Sequence, residues 1–245
     1  MRFDIITLFP EMFAAMDHGV IGRAQNKQLF ELKLWNPRDY SSDRQRKVDD
    51  APYGGGGGAV MMVEPLKMAI EQVMKEADAA QLIYLTPSGM ALNHPMVVQL
   101  ASQRQLILVA GRYEGFDDRL LKLVPGLELS IGDYVLSGGE LAAMVVVDAV
   151  ARQLAGVVGN QDSVDNDSFV DGLLDYPNYT RPGSIMGCEV PKVLLNGNHR
   201  EIAKWRRKQS LGRTWIKRPE LMTKIELTAE DRMLLNEFID ESKSN

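Results

Sequence analysis

Three glycine-bearing turns carry most of the chemical information in this sequence of 245 residues. They are TPSG at 86–89, GRYEG at 111–115 and GDYVLSGG at 132–139. Glycine reaches positive φ and lets a backbone approach a bound molecule closely. Gly111, Gly115, Gly132, Gly138 and Gly139 supply that freedom. The N–H and C=O groups of such turns can read the edge of an adenine without charged side chains. Ordinary strand-to-helix turn chemistry competes as the reading for any one turn and is weaker for all three together. A further stretch, Gly54 to Gly58 before Ala59, formally satisfies the dinucleotide pattern G-x-G-x-x-A. That pattern marks such a site only where a strand runs through it into a helix. Here RQRKVDDAPY precedes it and no Lys-Ser or Lys-Thr follows, so a flexible loop or lid is the preferred reading.

The charged candidates fall elsewhere. Arg152 follows Asp148 by four residues on one predicted helix. That spacing gives either a surface ion pair of small worth or a cation projecting where negative charge develops. Asp167 stands in an acidic run with Asp162, Asp165, Asp171 and Asp175. Such residues are mostly solvated; a mobile or catalytic loop is the alternative. His18, His94 and His199 lie in different segments, so no histidine metal site is expected. His199 opens a basic stretch in which Arg200, Lys204, Arg206, Arg207, Lys208, Arg213, Lys217 and Arg218 face only Glu201. In a chain of net charge −5, this segregation favours a polyanionic partner, nucleic acid first, over a merely solvated face.

The elements that must hold these residues alternate. Strands are predicted at 2–9, 29–35, 82–86, 106–110 and 127–131, from branched and aromatic runs. Helices are predicted after Pro10, from Glu64 to Ala77, near 94–104, near 117–123 and from Glu140 to about Leu154. Strand–helix alternation implies a parallel sheet covered by helices on both faces. In such sheets ligands bind beyond the carboxyl ends of the strands, where the three turns lie. Residues 36–58 read as a long functional loop. Domains are expected at 1–160 and 176–245, with 161–175 a flexible linker. The second is small and mainly helical, with a basic helix at 198–211 and a last helix after Thr228.

Composition narrows the class. Hydrophobic residues make up 45% and charged residues 25%, so the chain can bury a real core. The lone Cys188 excludes an intramolecular disulfide framework and a Cys-rich zinc site. Asp4 and Pro10 interrupt the apolar start, which is not read as a signal peptide. The most apolar run, Leu141 to Ala151, is far shorter than a membrane span. The expectation is a cytoplasmic protein with no membrane association.

Taken as blocks, these stretches resemble the bacterial tRNA (guanine-N1)-methyltransferases of the trefoil-knotted class. The matching blocks are DIITLFPEMF at 4–13, DDAPYGGGGGAVMM at 49–62, IYLTPSG at 83–89 and GRYEGFDDR at 111–119. They continue with SIGDYVLSGGE at 130–140, DSFVDGLLDYPNYTRP at 167–182 and GNHREIAKWRRKQSLGRTWIKRPEL at 197–221. Gly57, Thr86 and Ala142 depart from the usual residues without removing a proposed chemical group.

The resemblance implies a deep trefoil knot in the N-terminal domain and S-adenosyl-L-methionine as methyl donor. The methyl acceptor it implies is N1 of the tRNA guanine immediately 3′ of the anticodon. It places the donor against Tyr84, Leu85, Thr86 and Pro87, and against Gly111, Tyr113, Glu114 and Gly115. The third turn adds Ser130, Ile131, Gly132, Asp133, Tyr134, Val135 and Leu136, with Gly138 and Gly139. It gives Asp167 the role of general base and Arg152 that of stabilising charge on guanine O6. tRNA is expected on His199, Lys204, Arg206, Arg207, Lys208 and Arg213. A homodimer with a composite active site is implied, with Mg²⁺ a possible further ion for which no ligand cluster stands out. A non-catalytic RNA-binding protein, a methyltransferase acting on another base and a nicotinamide oxidoreductase are the alternatives.

Overall fold

Five short runs of branched and aromatic residues form one parallel sheet. A computed structural model describes residues 1–76, 79–160 and 162–243, in two units, Met1–Gln161 and Asp162–Asn245. Ala77, where spacing ends the first long helix, Gln161, the first expected linker residue, and residues 244–245 lie outside the described residues.

The first unit starts with β1 (Arg2–Ile6), a 3₁₀ helix (Pro10–Asp17), α1 (Gly19–Asn26) and β2 (Glu31–Trp35). A short 3₁₀ turn (Pro37–Tyr40) leads to β3 (Asp49–Asp50) and β4 (Val60–Met61), then α2 (Val63–Lys75). β5 (Gln81–Ala91), α3 (His94–Ala101), β6 (Gln105–Ala110), α4 (Asp118–Leu123), β7 (Leu127–Ser130) and α5 (Glu140–Ala151) complete it. The sheet runs β2-β1-β6-β5-β7, and its four pairings are all parallel.

Two-residue periodicity decides which side chains reach which face. Ile83, Leu85, Leu106 and Leu108 enter one core with Val146, Val147 and Val150 of α5. Leu82, Tyr84, Ile107 and Val109 enter the other with Leu66, Ile70 and Val73 of α2. All six residues of β6 are buried, as expected of a central parallel strand. Each fully buried Leu, Ile or Val contributes roughly 1.5–3 kcal/mol, so the sheet is anchored at its middle.

This order has one consequence for function. β5 lies between β6 and β7, and in a parallel sheet their carboxyl ends share one edge. The turns after these three strands therefore meet in space.

Several local features differ from the pattern reading. The segment after Pro10 is a 3₁₀ helix, and α1 follows it as a further helix outside the predicted ones. β5 does not stop at Thr86 but continues to Ala91. Leu85 and Met90 both pair with Leu129, so residues 86–89 loop out between two registers on β7. The Gly54–Gly58 run closes the antiparallel β3–β4 hairpin rather than a strand–helix turn.

The second unit holds α6 (Asp162–Asp165), an exposed hairpin of β8 (Ser184–Ile185) and β9 (Cys188–Glu189), and a 3₁₀ turn (Lys192–Leu194). It continues with α7 (His199–Lys217), α8 (Pro219–Met222) and α9 (Ala229–Lys243). Its core is Leu173, Leu211 and Leu234, with Met222, Ile225, Leu227 and Leu235 packed around them. Leu173 comes from the stretch read as a linker. Its burial ties residues 167–175 to the C-terminal unit.

α7 and α9 pack so closely that a Cβ on Gly212 would stand 2.3 Å from the Phe238 ring. Thr228 and Asp231 cap α9 reciprocally: the Asp231 N–H donates to Thr228 Oγ1 at 3.0 Å and the Thr228 N–H to Asp231 Oδ2 at 3.1 Å. Among the described residues no helix is long and apolar enough to cross a membrane.

Candidate functional site

The three turns enclose a cavity of about 470 Å³, a volume suited to a small organic ligand. From the first turn Leu85, Thr86 and Pro87 line it; from the second, Gly111, Tyr113, Glu114 and Gly115. From the third come Ser130, Ile131, Gly132, Tyr134, Val135, Leu136, Gly138 and Gly139. Tyr84 and Asp133, the other two residues expected here, are not among the lining residues. Tyr84 points to the opposite face of the sheet, where it is fully buried. Its hydroxyl donates to the Val124 carbonyl at 2.7 Å, and burial pushes the phenol well above its ordinary range.

The turns are fixed to one another through backbone contacts. The Gly139 N–H donates to the Gly111 carbonyl at 2.7 Å. A Cβ on Gly139 would lie 2.8 Å from Ala110 Cα and Gly111 N, so only glycine allows this approach. Tyr113 holds a positive φ of 59°, which turns the GRYEG segment sharply. Ser130 Oγ accepts from the Gly132 N–H at 3.2 Å and donates to the Gly132 carbonyl at 3.1 Å, shaping the third turn from within.

Side chains that the motif reading did not single out complete the site. Ser88, Arg112, Phe116, Asp118, Glu128 and Ser137 also line the cavity. Arg112 acts as a brace. Its Nε lies 2.8 Å from Oε2 of Glu140, an ion contact without the alignment of a hydrogen bond. Its Nη1 donates to the Ser137 carbonyl at 3.2 Å, and the guanidinium sits 4.3 Å from the Phe9 ring centre. Glu140 is fully buried, accepts from Thr7 Oγ1 at 3.0 Å, and stands in the first turn of α5, where a carboxylate complements the helix dipole. The signal was present in the sequence as the Arg of GRYEG and the Glu of SGGE. Only folding pairs them.

With Arg112 committed to Glu140, the charge left on the wall belongs to Glu114, Asp118 and Glu128. Lys122 offsets Asp118 at 2.5 Å. The cavity is therefore negative, which favours a cationic ligand and disfavours a pyrophosphate. The glycine hairpin attaches to its rim: the Glu114 N–H donates to the Ala59 carbonyl at 2.9 Å, and the Met61 N–H to the Gly115 carbonyl at 2.9 Å.

Arg152 belongs to this first unit, as the C-terminal cap of α5, half-buried. Asp167 belongs to the second unit, where its Oδ1 accepts from the Ser168 N–H at 2.8 Å. It lines two cavities there, of about 470 and 370 Å³.

The basic helix α7 is less free than its composition suggests. Arg207 donates to Asp231 at 2.7 Å and also pairs with Asp171. Lys208 pairs with Glu241 at 2.7 Å and Lys204 with Glu237 at 3.7 Å. The Arg207 guanidinium holds the Asp231 carboxyl down at about 2. Arg206 is exposed and stacks 4.6 Å from the Tyr176 ring centre. His199 is exposed at the start of α7. Among the described residues no three His, Cys, Asp or Glu are grouped so as to hold a metal ion.

A parallel α/β unit with a glycine-lined cavity at adjacent strand ends, followed by a helical unit with one basic helix, defines an α/β ligand-binding protein of the strand-end class. Residues 1–224 match the family described as tRNA (Guanine-1)-methyltransferase TrmD, and the chain belongs to that family. It is 56% identical to the tRNA (guanine-N(1)-)-methyltransferase of Shewanella amazonensis, across 100% of this chain and 98% of that one. It is 55% identical to the Photorhabdus laumondii protein of the same name, across 97% and 96% of the two chains. The Yersinia enterocolitica protein of that name is 54% identical, across 99% and 100%.

Proposed function

We propose that this protein transfers a methyl group from S-adenosyl-L-methionine to N1 of the guanine immediately 3′ of the anticodon in tRNA. The observation that carries the reading is the convergence of the three turns on one cavity of about 470 Å³ in a member of this family. The cavity fits the donor chemically. Glycine-lined backbone suits the adenine edge, and Glu114 and Glu128 suit a sulfonium cation. When bound, the donor supplies an activated methyl group.

The chain's own residues then carry the proton and the charge. Guanine N1 bears a proton, which makes it a poor nucleophile until a base removes it. Asp167 is assigned that role. Proton removal shifts negative charge to guanine O6. Arg152 is assigned to stabilise it, a contribution of roughly 10²–10³ in rate. His199, Lys204, Arg206, Arg207, Lys208 and Arg213 are assigned to the tRNA side, with Arg207 and Lys208 acting through the fold of the unit that presents the others. A homodimer with a composite site, a trefoil-knotted chain path and a cytoplasmic location complete the proposal.

The test combines donor titration by calorimetry with methylation of tRNA transcripts carrying or lacking the target guanine. The reading expects donor binding and methylation of the first transcript only. In single-turnover reactions at saturating tRNA, Asp167→Ala is expected to slow methyl transfer by at least a hundredfold. A loss below tenfold removes Asp167 from the base role.

A further inference from the structure

Arg213 stands apart on the basic helix. Lys204, Arg207 and Lys208 of α7 are each paired with a carboxylate. Among the described residues the Arg213 guanidinium has no hydrogen-bond or ion-pair partner, and its Nε is buried without one. Leaving a buried donor unsatisfied is costly. Since Nε is buried, an acceptor from outside the chain would meet the guanidinium through its terminal nitrogens.

Its surroundings say what kind. Arg213 lines a cavity of about 470 Å³ together with Asp167, Ser168, Asp175, Tyr176 and Asn178. The wall is braced. The Asp175 N–H donates to Ser168 Oγ at 3.0 Å, and the Leu174 N–H to Thr214 Oγ1, beside Arg213 on α7, at 2.9 Å. The cavity therefore joins a carboxylate, a guanidinium without a partner and an aromatic ring. Guanine offers N1–H and N2–H donors on one edge and the O6 and N7 acceptors on the other. A guanidinium matches O6 and N7 with two parallel hydrogen bonds, the commonest specific contact to this base. Adenine places an amino donor where O6 would be, and a guanidinium repels it. The carboxylate serves the opposite edge.

We propose that Arg213 reads the O6/N7 edge of the acceptor guanine, in the same cavity in which Asp167 meets the N1 proton. This rests on the methyl-transfer reading and adds to it a specificity-determining residue. It differs from a phosphate contact, which would weaken binding of all tRNAs alike. It also differs from the role assigned to Arg152, which acts on charge that develops during the reaction.

The test compares two tRNA transcripts that differ at one atom, guanosine or 7-deazaguanosine at the target position. Both are methylated by the wild-type protein, Arg213→Gln and Arg213→Lys. The wild type is expected to lose about tenfold in kcat/KM on the deaza transcript, mainly through KM. Both variants are expected to start lower on guanosine and to lose little more on the deaza base, because the bond removed from the substrate is already absent. Donor binding by calorimetry stays unchanged. Arg213→Gln is expected to keep its thermal midpoint within a few degrees; should it fail to fold, Arg213→Lys retains the charge and carries the comparison. Equal losses in wild type and variants, or a wild type indifferent to the deaza base, overturn the assignment and leave the methyl-transfer reading intact. A wild type that binds donor yet never methylates guanosine overturns that reading, and this assignment with it.

Discussion

Single residues in this protein divide into those that can be exchanged and those that geometry fixes. Gly139 is fixed. A Cβ there would enter the backbone of Ala110 and Gly111 at 2.8 Å, and backbone cannot rotate away as a side chain can. Gly139→Ala must therefore separate the second and third turns and enlarge or distort the cavity between them. The expected outcome is a loss of donor affinity of at least tenfold by calorimetry, with the second unit unaffected. Thr86 and Ala142 line the same cavity with small side chains. Arg112 illustrates why a motif understates a residue. GRYEG reads as a ligand loop, yet its arginine braces Glu140, the Ser137 carbonyl and Phe9. Arg207 shows the same shift from ligand to scaffold.

At the scale of elements, α7 carries the lesson about charge. Seven Lys and Arg residues among its nineteen suggest a uniform cationic face. Folding against α9 neutralises part of it, because Glu237 and Glu241 lie opposite Lys204 and Lys208. The charge left for a polyanion sits on exposed residues such as Arg200, Arg206 and Lys217. Replacing these three with glutamine is expected to weaken tRNA binding and to reduce the slope of log K against log salt by about 3, close to one per phosphate contact. Donor binding should not change. Arg207→Gln, by contrast, is expected to act first on thermal stability. A salt slope unmoved by the triple substitution would return α7 to the role of a solvated face. The glycine hairpin is a second element whose role the pattern could not reach. Its hydrogen bonds to the 114–117 turn place it on the rim of the cavity between the three turns.

For the molecule as a whole, two units with separate cores imply two responses to acid. The second unit depends on Asp231, 4% exposed, which accepts from Arg207, caps α9 and has its carboxyl lowered to about 2. A carboxyl depressed on folding contributes stability that is fully present above its unfolded value near 4. That stability is lost as pH falls towards 2. Chemical denaturation is expected to show the wild type more stable than Asp231→Asn at neutral pH, with the two curves converging between pH 4 and pH 2. A gap that stays constant across this range would separate the cap from the ion pair and assign the stability to the former.

The parallel α/β class, the three turns and the basic stretch were legible in the chain itself, because hydrophobic period, glycine placement and charge are local properties. So was a change of texture from residue 176 onward, where turn-rich and basic stretches replace strand–helix alternation. Tertiary structure alone decided the rest. The β2-β1-β6-β5-β7 order makes the turns neighbours, and no local rule specifies which strand pairs with which. The second register of β5 on β7, the Arg112–Glu140 brace and the burial of Leu173 all join residues far apart in sequence. Free cations and committed ones look alike in a sequence. They differ only once packing decides which carboxylate stands within reach.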